Sequence, residues 1–132
     1  MSTTAKRGDR TFLRAAIALQ TATVFVQAVS AGLLLSSSSF GMTLHSVGAR
    51  VMFAAVMVHL AAAILAWRPG GGSPGPILYA AGFMVITSAQ VVLGIAHVTS
   101  PHVPLGVLMF GLSLLHLGRP PAAHRARTAA AE

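Results

Sequence analysis

Residues 43–67 read TLHSVGARVMFAAVMVHLAAAILAW, a stretch in which Arg50 is the one formal charge. The hydrocarbon layer of a bilayer is about 30 Å thick and needs about 20 mostly apolar residues of helix to cross it. The stretch therefore predicts a transmembrane helix. Two histidines punctuate it, His45 and His59, fourteen residues apart.

Three further runs meet the same length requirement, at about 15–36, 76–98 and 102–118, and the last carries His102 and His116, again fourteen apart. The composition agrees. Hydrophobic residues make up 55% and charged residues 8%, far from a soluble balance and matched to a lipid bilayer. Asp9 and Glu132 are the only acids and both lie outside the runs. Paired-carboxylate hydrolysis, a carboxylate proton path and a carboxylate metal box are excluded inside the bundle. With no cysteine, so are disulfides, thiolate metal sites, iron–sulfur clusters and C-x-x-C-H haem attachment. The net charge of +7 does not signal nucleic acid, because eight of the nine basic residues flank the runs.

Those flanking charges orient the chain. Lys6, Arg7, Arg10 and Arg14 precede the first run, Arg68 follows the second, and Arg119, Arg125 and Arg127 follow the fourth. The links SSSSFGM (36–42) and TSP (99–101) carry none. The positive-inside rule then places both termini in the cytoplasm. A basic start, an apolar stretch and Ala28, Ser30 and Ala31 also suit a signal peptide, but the stretch runs on through Leu33, Leu34 and Leu35, which favours a span. The expected architecture is all-α, an up-down-up-down four-helix bundle: residues 1–14 a basic cytoplasmic N-terminus, 15–118 the transmembrane domain, 119–132 a disordered cytoplasmic tail.

The connector at 69–76, PGGGSPGP, joins two similar halves. Gln27 with Gly32 precedes His45 and His59; Gln90 with Gly94 precedes His102 and His116. Two tandem helical hairpins are implied, although Gln27 stands eighteen residues before His45 and Gln90 only twelve before His102.

Fourteen residues is two heptads, so both members of a histidine pair face one seam, about 21 Å apart along the axis. The second and fourth helices run parallel on a diagonal, which sets His45 level with His102 near the outer face and His59 level with His116 near the cytoplasm. Diagonal axes at roughly 12 to 14 Å suit a flat macrocycle ligated from both sides, that is, two haems b. Ala28, Ala31, Gly32, Gly82, Ala89 and Gly94 would supply thin walls. Histidines that merely hydrogen-bond between helices are the plainer alternative.

The two H-x13-H helices resemble the two-haem core of the respiratory cytochrome b family, and AQVVLG (89–94) followed by a histidine helix is similar to one half of haem A synthase, whose intramembrane glutamate and cysteines have no counterpart here. The whole chain also resembles a family of small bacterial membrane proteins of this length. The cytochrome resemblance implies His45, His59, His102 and His116 as axial ligands; the synthase resemblance implies one ligand pair per half-bundle. Arg50 has no acid to pair with, so it either binds a haem propionate or snorkels to the interface. Gln27 and Gln90 lie at its depth. His97 reads as a loop contact, His124 as part of a basic tail, and Met52, Met57, Met84 and Met109 as packing.

The expected function is electron transfer by a di-haem b-type cytochrome, exchanging electrons with a quinol or a membrane redox protein, with no substrate-transforming chemistry implied and self-association left open. A His/Met copper-binding or transport protein and a cofactor-free accessory subunit are the alternatives.

Overall fold

The computed structural model describes residues 3–36 and 39–119, with side chains from Gly8 onward. They form four helices and no strand: α1 (Thr3–Leu35), α2 (Ser39–Trp67), α3 (Gly75–Ile95) and α4 (Thr99–Leu117). All four contain a segment long and apolar enough to cross a membrane, Gly8–Leu35 in the case of α1. The chain is an all-α, multi-pass membrane protein. The predicted tail, with His124, Arg125 and Arg127, lies outside the described residues apart from Arg119, as do Ser37 and Ser38.

The helices touch in a ring, α1 against α2 and α4, and α3 against α2 and α4, while α2 and α4 face each other on the diagonal without backbone contact. All four start before the expected spans, while α3 stops at Ile95 rather than 98 because the chain turns there, and α1 and α4 end one residue early. α1 begins at Thr3 rather than near 15, since no proline interrupts the stretch from Thr3 to Arg14 and the single Gly8 is tolerated. Residues 39–42 and 99–101, expected as links, are instead the first turns of α2 and α4. Pro101 fits there since the first helical N–H groups have no intrahelical partner anyway. The glycine-rich connector folds back on α2: the amides of Gly70, Gly71 and Gly72 donate to the carbonyls of Leu65, Trp67 and Ala66. Beside it the Arg68 guanidinium lies 4.7 Å above the Trp67 ring. At the end of α3, His97 takes a left-handed φ of 55°, and Val98 N–H donates to Leu93 in a helix-terminating turn.

Polarity is reversed relative to a water-soluble bundle. Phe25, Leu78, Val85 and Leu115 are exposed, while Gln20, Gln27, Ser30, His59, Thr87, Gln90 and Ser113 are buried. Lipid solvates apolar surface, so the interior can keep the groups that hydrogen-bond between helices. The interior is layered. An apolar cluster of Val24, Met52, Val56, Phe83 and Met109 occupies the middle. A polar layer lies on each side of it: an upper one towards the short links at 36–38 and 96–98, and a lower one towards the termini. Of the methionines read as packing, Met52 and Met109 are in this core, Met84 lies against it and Met57 is exposed.

Candidate functional site

In the upper layer His45 of α2 and His102 of α4 meet with ring centres 6.1 Å apart and planes at 71°. In the lower layer His59 and His116 meet at 5.5 Å and 40°. The pairing is the one that parallel diagonal helices require. Met52, seven residues from both His45 and His59, and Met109, seven from both His102 and His116, keep the layers apart.

Each half of the chain clamps its upper histidine reciprocally. The Gln90 side-chain amide donates to the His102 carbonyl at 2.8 Å, and His102 Nδ1 returns a bond to the Gln90 carbonyl at 3.1 Å. The Gln27 amide donates to the His45 carbonyl at 3.2 Å. Its return path passes through Ser30, whose hydroxyl lies 2.9 Å from His45 Nδ1 and donates to the Gln27 carbonyl at 3.0 Å. Close packing permits both clamps: a Cβ on Gly48 would sit 2.5 Å from Gln27 Nε2, and one on Gly106 2.9 Å from Gln90 Nε2. The unequal Gln-to-His spacing has a simple origin. α1 runs on from Gln27 to Leu35 and α2 starts at Ser39 ahead of His45, whereas α3 runs only from Gln90 to Ile95 and α4 starts at Thr99 ahead of His102. The first hairpin extends nearly one turn farther on each helix, and the clamp is otherwise repeated.

The lower layer is not repeated. His59 Nδ1 lies 2.7 Å from Gln20 Oε1, and Gln20 Nε2 reaches Ser113 on α4 at 3.4 Å. His116 instead carries Tyr79 flat against it, with ring centres 3.7 Å apart and planes within 5°. The Tyr79 hydroxyl donates to the Leu112 carbonyl at 2.8 Å.

Three buried side-chain atoms lack a partner among the described residues: His59 Nε2, His116 Nδ1 and Gln90 Oε1. All three belong to these two layers, and a buried polar atom without a partner calls for an explanation such as strain, a water, an ion or a bound group. The donor set suits a metal. Neutral imidazoles whose Nδ1 is held by a protein acceptor present Nε2 as the ligand, and Nδ1 is so held in His45, His59 and His102. An ion about 2 Å from each of two ring nitrogens sets imidazole centres about 6 Å apart, near both observed separations. No group of three or more His, Cys, Asp or Glu gathers among the described residues, so each layer offers two ligands.

Other expected site residues fall elsewhere. Gly32 and Arg50 are exposed and are not brought to the histidines. The reason is helical phase: Gly32 is five residues from Gln27 and Arg50 five from His45, which turns each about 140° round its helix. Gly94, four residues from Gln90, stays near, and a Cβ on it would lie 3.2 Å from the His102 ring. Ala28, Gly82 and Ala89, expected as thin walls, are exposed, and Ala31 is partly buried. Gln20, Thr21, Tyr79 and Ser113 were not singled out from sequence. One signal was present: Gln20 is one heptad before Gln27, and Ser113 one helical turn before His116.

No family model, no curated protein and no solved structure matches the chain.

Proposed function

We propose that the protein is a di-haem b-type cytochrome of the bacterial plasma membrane, with His45 and His102 ligating one haem and His59 and His116 the other. The observation that carries this reading is the stacking of two His–His pairs, with the buried orphan atoms of the described residues in the same two layers. Two imidazoles alone satisfy a zinc or copper(II) ion poorly, since such ions take four or more ligands, although copper(I) accepts two. They complete an iron whose other four ligands come from a porphyrin, which argues for haem over zinc or copper(II). When bound, haem supplies one-electron transfer.

The chain's own residues then have defined tasks. Gln27 and Gln90 hold the upper histidines by their carbonyls, Gln20 holds the His59 ring, and Tyr79 fixes the plane of His116. With both axial positions filled by protein, transfer of electrons is favoured over chemistry on a bound substrate. Donor and acceptor are proposed to be a quinol and a membrane redox protein, because short links leave little extramembrane surface for a large substrate. The arginine distribution supports cytoplasmic termini. The resemblance of the two H-x13-H helices to the cytochrome b core supports the ligand assignment.

The test is to purify the protein from haem-replete cells. A Soret band with about two haems b per chain is expected, with low-spin spectra. A colourless preparation sinks the proposal in favour of a cofactor-free subunit, and copper without a Soret band favours the metal-binding reading.

A further inference from the structure

The hydrogen bonds that lead away from the His59 ring have one consistent polarity. Thr21 on α1 places its hydroxyl 2.9 Å from the Ile17 carbonyl, an atom that can only accept. The Ser113 carbonyl is also in reach at 3.4 Å, so the single Thr21 proton has two carbonyls to go to. The hydroxyls of Thr21 and Ser113 are 2.7 Å apart and either can donate; with two carbonyls in reach of the Thr21 proton, the relay takes Ser113 as the donor. With its own proton spent, Ser113 only accepts from Gln20, so the Gln20 group facing it is the NH2. The amide oxygen therefore faces His59 Nδ1 at 2.7 Å. A carbonyl oxygen there demands a proton on Nδ1 and leaves the lone pair on Nε2.

Burial keeps water out of this chain. Gln20, Ser113 and His59 are fully buried and Thr21 is 6% exposed, so no water competes for any of the four groups. The relay also crosses from α2 through α1 to α4, meeting α4 one turn before His116. His116 has no equivalent: its Nδ1 is buried and unpartnered.

We propose that this relay, anchored at a main-chain carbonyl of α1, makes Gln20 the positioning residue of the lower site: it fixes His59 as the Nδ1–H tautomer and turns the Nε2 lone pair into the bundle. That Nε2 then ligates a haem rests on the function proposed above; the tautomer itself does not. Hydrogen bonding to the outer nitrogen of a ligating histidine sets both its orientation and its basicity.

The experiment uses the full chain in lipid bilayers with nitrogen-15 histidine, first without haem. His59, assigned by the signal lost in His59→Ala, is expected to show a protonated Nδ1 and a bare Nε2. Thr21→Val removes the anchor and should convert His59 to a mixture of tautomers, whereas Thr21→Ser, which keeps the hydroxyl, should restore the single form. A bare Nδ1 in the wild type, or a tautomer unchanged in Thr21→Val, overturns the relay. In haem-loaded protein Gln20→Leu should raise, and Gln20→Glu lower, the potential of one haem and leave the other unmoved. Equal shifts of both haems, or none, overturn the positioning role. A wild-type chain that shows the expected tautomer yet takes up no haem overturns the proposed function and leaves the relay standing.

Discussion

Tyr79 lies flat on His116, with ring centres 3.7 Å apart and planes within 5°, and its hydroxyl is tied to the Leu112 carbonyl one turn earlier on α4. The stack fixes the tilt of the one site histidine whose Nδ1 has no acceptor. Tyr79→Phe keeps the ring and gives up one hydrogen bond, an expected loss of about 1 kcal/mol. Tyr79→Ala removes the ring, at about 3 kcal/mol, and frees His116 to rotate. Denaturation in detergent reads the first effect. The second appears as a heterogeneous low-spin spectrum for one haem, present in Tyr79→Ala and absent in Tyr79→Phe; a spectrum unchanged in both would make the stack incidental to the site.

Two glycines of α2 separate backbone packing from side-chain packing. A Cβ on Gly41 would lie 2.6 to 2.9 Å from the backbone of Leu33 and Leu34, which cannot step aside without parting α1 from α2. A Cβ on Gly48 meets only the tip of Gln27. Gly41→Ala is therefore expected to cost about 2 to 3 kcal/mol in stability. Gly48→Ala should cost about 1 kcal/mol, the value of the Gln27 bond to the His45 carbonyl that it displaces. Gly106→Ala should match Gly48→Ala, because Gln90 plays the same part in the second hairpin. Thermal unfolding of the three variants checks the order.

Arg50 gives the reverse kind of prediction. Its side chain is exposed, and the buried residues Met52, Ala55, Val56 and His59 lie on the opposite side of α2. Arg50→Leu is thus expected to leave both haem potentials unchanged and to ease membrane insertion by about 2.5 to 3.5 kcal/mol at most, the cost of an arginine at a helix centre. A fall in the potential of one haem on this substitution would show that the guanidinium reaches a propionate after all.

Sidedness is open to a direct check. Cysteines replacing Ser38 or Thr99 should react with an impermeant thiol reagent on intact cells, and one replacing Gly71 should not. Reaction at Gly71 alone would invert the bundle without altering the packing inside it.

The spans and the histidine pairing were legible in the sequence because both depend on one-dimensional quantities, hydropathy over about 20 residues and a fourteen-residue interval read against the heptad. Gln20 was not, although it touches the most deeply buried histidine. A glutamine on a first helix has no sequence relationship to a histidine thirty-nine positions later, and only the crossing of α1 with α2 brings them together. Gly32 misled for a local reason. Small residues were read as thin walls by composition, whereas phase decides which face they occupy: five residues from Gln27 turns Gly32 away from the histidines, while four from Gln90 keeps Gly94, itself exposed, beside the His102 ring. The unequal Gln-to-His intervals likewise looked like a defect of the repeat until the longer first hairpin accounted for them.

The pairing across the diagonal is the relationship on which the proposed function depends, and double substitution tests it. His45 and His102 share the upper layer, so His45→Ala, His102→Ala and the double variant are each expected to lose the same haem and retain one low-spin haem in the lower layer. His59→Ala and His116→Ala should together spare the upper one. The two lower variants should differ in degree. In His116→Ala the retained His59 stays locked by Gln20, whereas in His59→Ala the retained His116 has only the Tyr79 stack to hold it, so a five-coordinate haem on His59 should persist more often than one on His116. Haem content read together with the high-spin and low-spin signals separates these cases. If His45→Ala and His102→Ala abolish different haems, or if every single variant keeps two low-spin haems, ligation does not follow the layers, and the histidines hold the helices together instead.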